Sequence, residues 1–119
     1  MPDTGDLRED LLACGRAYLK EEGRSQRVLA SLHTAARHDP ALRTAAREAL
    51  GSPADRLFGE VLGRAVARGL VSEDVDVRIV AEVFPGIAFH YAAALGLPVD
   101  EALIVRVVDH VLLPALRRA

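Results

Sequence analysis

Apolar residues along this chain recur at helical spacing, and no window alternates apolar and polar positions for long. The pattern therefore predicts an all-α protein of five helices, or six if the third is split, and no strands. The first helix covers about residues 7–22. Leu7, Leu11, Cys14 and Tyr18 fall on one stripe flanked by Leu12 and Leu19, while Glu9, Arg16 and Lys20 face water. Asp6 is the expected cap and Gly23 the stop. Ser25 can cap a second helix to about Arg37, with Val28, Leu32, Ala35 and Ala36 inward. Asp39-Pro40 ends that helix and opens the next, aspartate as cap and proline first. Residues 41–50 read as helix, Gly51-Ser52-Pro53 interrupts, and helix resumes to Arg68 before Gly69. One kinked helix and two separate segments fit this stretch equally. Asp74 and Asp76 offer caps for a helix over about 77–95, in which Pro85 removes a backbone donor. Gly96-Leu97-Pro98 is a turn, and Asp100-Glu101 places negative charge at the start of the last helix. That helix runs to about Leu113, or a turn further past Pro114.

The last two helices are more apolar than a monomer surface requires. Such a surface needs one apolar stripe about 100° wide or somewhat more. In the last helix Leu103, Ile104, Val107 and Val111 define one face. Val105, Val108, Leu112 and Leu116 widen the arc to roughly 220°, leaving Arg106, Asp109, His110 and Arg117 on the other side. In the helix before it, Val80, Val83, Phe84, Ile87, Ala88, Tyr91 and Leu95 cover the core side. The opposite side is mixed and small: Arg78, Glu82, Gly86, Phe89, His90 and Ala93. Two such helices exceed what one small core hides, which predicts a homodimer with a four-helix seam. The expected interface is Glu82, Gly86, Phe89, His90, Ala93, Val105, Val108, Leu112 and Leu116. Residues 79–99 are long enough to span a bilayer and carry one charge, Glu82. Pro85, Gly86, Gly96, Pro98 and the lack of flanking Arg or Lys argue against a span, so no membrane partner is expected.

Composition narrows the chemistry. The 119 residues suit one domain, 1–119, with a core that needs no staples. Fifteen basic against 17 acidic residues give a net charge of −2, so this segment is not expected to bind nucleic acid directly. No signal peptide pattern opens the chain, and a cytoplasmic home is expected. Cys14, the one cysteine, rules out a disulfide framework, and its place on an apolar stripe reads as a buried, inert thiol. His33 and His38 lie five apart with no third ligand evident, so no metal site is expected. No cofactor loop or nucleophile elbow appears, and no enzyme activity is expected. His90 and His110 either pair across the seam or are ordinary surface histidines.

Several motifs carry a resemblance. Gly5-Asp6-Leu7-Arg8-Glu9-Asp10-Leu11-Leu12 looks like the start of the regulatory region in tetracycline-repressor (TetR) family transcription factors. Residues 57–69, ending Ala65-Val66-Ala67-Arg68-Gly69, are similar to that family's long helix and its closing turn. Val75-Asp76 before an apolar helix broken by Pro85-Gly86, then Leu97-Pro98-Val99-Asp100-Glu101 and Val107-Val108-Asp109, come in the family's order. Pro114 departs from it, standing where the family often has glycine.

The resemblance implies an effector-binding and dimerisation domain of a transcriptional regulator, a repressor. Its DNA-reading helix-turn-helix and connecting helix are expected outside this sequence, and signal transmission with them. A small apolar or amphipathic effector would enter between the first helices and the penultimate one. Leu11, Cys14, Tyr18, Leu32, Phe58, Val61, Leu62, Phe84 and Tyr91 are the implied lining, each of which also suits plain core packing. The alternative is a helical protein–protein interaction module without a ligand.

Overall fold

The computed structural model describes residues 2–22, 35, 37–49 and 53–117. Helix α1 is Leu7–Glu22, α2 is Pro40–Ala49, α3 is Pro53–Ala67 and α4 is Val77–Leu95. Helix α5 covers residues 101–116. There is no strand among the described residues. The expected second helix with Val28, Leu32 and Ala36, its cap Ser25, and the junction at Gly51-Ser52 lie outside the described residues. Ala35, expected inward, is exposed.

Four aspartates start four helices by the same bond. The Asp6 carboxylate accepts from the Arg8 and Glu9 amides at 3.0 and 3.4 Å, and Asp39 from Ala41 at 2.9 Å, with Pro40 first in the helix. Asp76 accepts from Ile79 at 3.2 Å and Asp100 from Leu103 at 3.0 Å. Each satisfies a donor that the helix itself leaves unpaired. Past the end of α3, Gly69 has φ +75°. Its amide donates to the Val66 carbonyl at 3.0 Å and the Leu70 amide to Ala65 at 2.9 Å, the paired bonds of a Schellman turn.

Both late helices change register. Helix α4 is α-helical over Val77–Phe89 and π-helical over His90–Leu95. Helix α5 is α-helical over Glu101–Val107, π-helical over Val108–Leu112 and α-helical again over Leu113–Leu116. In α5 the Leu113 amide reaches back to the Val108 carbonyl, one residue before Pro114 removes a donor. The wider turn shifts the side chains within it off a regular 100° step, which corrects two expectations. Val111 and Leu95, placed on the core side by a regular 100° step, are 40% and 50% exposed. Leu112 and Leu113 are buried instead.

Packing places α1 between α5 and α3, with α4 against α3. Helices α1 and α5 run antiparallel, as three paired contacts show. Arg8 meets Asp109 through Nε–Oδ1 at 2.8 Å and Nη2–Oδ2 at 3.2 Å, and Arg16 meets Glu101 at 2.7 Å. Between these ion pairs Gly15 faces Ile104, where a Cβ would lie 2.6 Å from the isoleucine Cγ2.

Candidate functional site

The interior gathers most of the residues expected to line an effector pocket. Leu11 and Cys14 from α1, Phe58, Val61 and Leu62 from α3, and Phe84 from α4 are at most 2% exposed. Tyr18 is 4% exposed. The stripe of α1 turns its apolar side toward α3, and the buried positions Val80, Phe84 and Ala88 recur every four residues on α4. Phe84 sits between two rings. Tyr18 meets it edge-on with centroids 5.5 Å apart, and Phe58 meets it at 5.6 Å with a 32° tilt. Three of the chain's five aromatic side chains are thus in one cluster contributed by three helices. Tyr91 is half-buried against this core. Leu32 lies outside the described residues. Burial pushes the Cys14 thiol up to about 12, so it is a protonated packing group and not a nucleophile. No group of three His, Cys, Asp or Glu side chains could hold a metal among the described residues.

The expected partner residues divide. Glu82, Gly86, His90 and Ala93 are exposed, and with Ile79 they form one stripe along α4. Phe89 and Val105 are half-buried. Val108, Leu112 and Leu116 are 0%, 0% and 4% exposed, because α5 buries them within its own chain. The apolar excess of α5 therefore goes mostly into the chain's own core, leaving Val111 exposed, while α4 leaves Ile79 and Leu95 uncovered. Ile79 is 56% exposed, and a Cβ added at Gly86 would meet nothing within 4 Å.

One polar cluster escaped the sequence reading. Asp10 is 5% exposed on the core-side edge of α1. It accepts from the Thr4 amide at 2.9 Å and the Thr4 hydroxyl at 2.8 Å, and its other oxygen is 3.7 Å from Arg64 Nη2. Arg64 also donates to the Pro2 carbonyl, and Arg68 grips Asp3 at 2.7 and 3.1 Å. The hydrogen bond from Arg68 holds the Asp3 carboxyl below its ordinary value. A spacing of four between two arginines was the one local sign of this cluster; its partners lie more than 50 residues away.

The model of the tetracyclin repressor-like C-terminal domain matches residues 1–111. The chain belongs to the TetR family. It matches that family's C-terminal domain and is helical, as the resemblance implied. A DNA-binding transcriptional repressor TetR of Mycobacteroides abscessus is 38% identical over 116 residues, which cover 97% of this chain and 60% of that protein. Uncharacterized HTH-type transcriptional regulators of Mycobacterium bovis and Mycobacterium tuberculosis are 26% identical over 118 residues, covering 99% of this chain and 58% of theirs. The TetR-family domain thus spans about 60% of the length of the curated relatives it matches. No solved structure gives a significant match.

Proposed function

We propose that this TetR-family domain senses a small apolar or amphipathic effector in the interior between α1, α3 and α4. It pairs with a second copy through the outer stripe of α4 and the half-buried edge of α5 at Val105. Effector binding then changes how a helix-turn-helix domain of the same regulator engages DNA, with repression relieved or imposed in the cytoplasm. No catalysis and no cofactor enter this scheme. The domain's net charge of −2 fits a division in which DNA is held elsewhere in the regulator. An effector acts only if it binds one arrangement of the pair better than the other.

The observation that carries the reading is the aromatic cluster. A chain poor in rings concentrates Tyr18, Phe58 and Phe84 in one apolar place, joining the three helices that a ligand would have to part. Rings give a flat ligand large contact area at small entropic cost, and a tyrosine adds a polar handle. Titration of the purified chain with 8-anilinonaphthalene-1-sulfonate, followed by calorimetry, tests it. Saturable binding of one probe per chain is expected, weakened about ten-fold by Phe84→Leu in a chain that circular dichroism shows folded. Non-saturable binding, or affinity indifferent to Phe84→Leu, overturns the effector site. A dimer without saturable binding would leave the dimerisation module alone.

A further inference from the structure

Residues 2–6 are fastened at two places that belong to different helices. Thr4 is tied to α1, through the amide and hydroxyl bonds to buried Asp10. Asp3 and Pro2 are tied to α3, through Arg68 and Arg64. Arg64 stands in the last turn of α3 and Arg68 just past its end, beside a face that buries Phe58, Val61, Leu62 and Ala65 in the core. Under the strap runs a shallow crevice whose apolar lining includes Leu7, Val61 and Ala65. Consecutive residues of one short segment are therefore held by two different helices, where Arg64 also reaches Asp10 directly at 3.7 Å. Sliding α3 along α1 strains the segment between Asp3 and Thr4, or releases Asp3 from Arg68.

We propose that residues 2–6 form a latch that reads the position of α3 against α1, with Arg64 and Arg68 as its catch and Asp10 as its fixed post. The latch turns a shift in the core into a movement of the chain preceding α1. Its regulatory meaning rests on the reading of the α1–α3 interior as an effector site; its mechanics do not. Charge-assisted bonds suit such a catch, because a bidentate arginine–carboxylate pair is directional and breaks over a small displacement. Asp10 suits the post, since a carboxylate this far out of water holds its partners or costs free energy.

Amide hydrogen exchange at Thr4, read by NMR on the intact chain, tests the latch. Arg68→Gln and Asp3→Asn are each expected to speed exchange about five-fold, and the double variant no more than either alone. Unchanged exchange, or additive effects, overturns the catch. Reading of α3 is tested with Val61→Ala, or with Ala65→Gly should the first not fold. The core change is expected to speed Thr4 exchange in the wild-type background and to have little further effect beside Arg68→Gln. Equal effects in both backgrounds overturn the coupling. None of these measurements needs an effector, so failure of the effector site and failure of the latch are separately visible.

Discussion

A methyl group separates two kinds of helical glycine in this chain. In α1 a Cβ at Gly15 would sit 2.6 Å from Ile104 Cγ2, and a β-branched side chain with few rotamers has little room to yield. In α3 a Cβ at Gly63 would meet nothing within 4 Å. Alanine gains about 1 kcal/mol of helix propensity at either place, and overpacking costs about 1–3 kcal/mol at the first only. Gly63→Ala is therefore expected to raise unfolding free energy by up to about 1 kcal/mol, and Gly15→Ala to lower it by about 1 kcal/mol. Urea unfolding of the two variants checks this; a stabilised Gly15→Ala would mean that α5 moves away freely. The sequence shows that both glycines lie within helices but not which one another helix crosses. That depends on Ile104, 89 residues further on.

At the scale of elements, short-range chemistry was legible and register was not. Asp6, Asp39 and Asp76 begin helices where a capping aspartate predicts, Asp100 caps one where the sequence showed only negative charge, and Gly69 ends one, because each signal acts within a turn of its own position. The faces of α4 and α5 keep a regular period only as far as their π-helical segments, within which Leu95 and Val111 turn outward. What aligns α5 on α1 is a pair of long-range ion pairs. Hydrogen bonds from Arg8 and Arg16 hold the Asp109 and Glu101 carboxyls below their ordinary values. A carboxylate lowered by folding contributes fully above its unfolded value and loses that contribution as pH falls through the folded one. The clasp is therefore complete at neutral pH and released on acidification below the ordinary carboxylate range, about pH 4. Thermal melts at pH 7 and pH 3 are expected to show a larger fall for the wild type than for Arg8→Gln/Arg16→Gln. Equal falls would mean the pairs are not linked to folding. Arg16–Glu101 is solvent-exposed and Arg8–Asp109 only half-buried, so the difference should shrink at high salt.

For the whole molecule, the question is where the apolar surplus of the last two helices goes. The sequence placed it on both, since neither the π-helical register nor the depth of α5 in its own core has a local signature. In the structure α5 spends its surplus internally, with Val108 and Leu112 fully buried, whereas the buried side chains of α4 are Val80, Phe84 and Ala88. Up to its π-helical segment the opposite stripe of α4, Ile79, Glu82, Gly86 and His90, has a 3-4-4 spacing and runs about 16 Å. Gly86 is at its centre, and its own chain does not require the missing side chain. A facing helix would, because interaxial distance is set by the side chains at the crossing. Two arginine variants then have different fates. Leu112→Arg puts a charge in the interior and is expected to unfold the chain, visible as lost helical circular dichroism. Gly86→Arg leaves the core untouched and is expected to keep that helical signal; on the proposed pairing the wild type sediments as a dimer and Gly86→Arg as a monomer at the same concentration. A folded Gly86→Arg dimer would move the interface off this stripe, and the half-buried edge at Val105 would be the next surface to test by the same substitution.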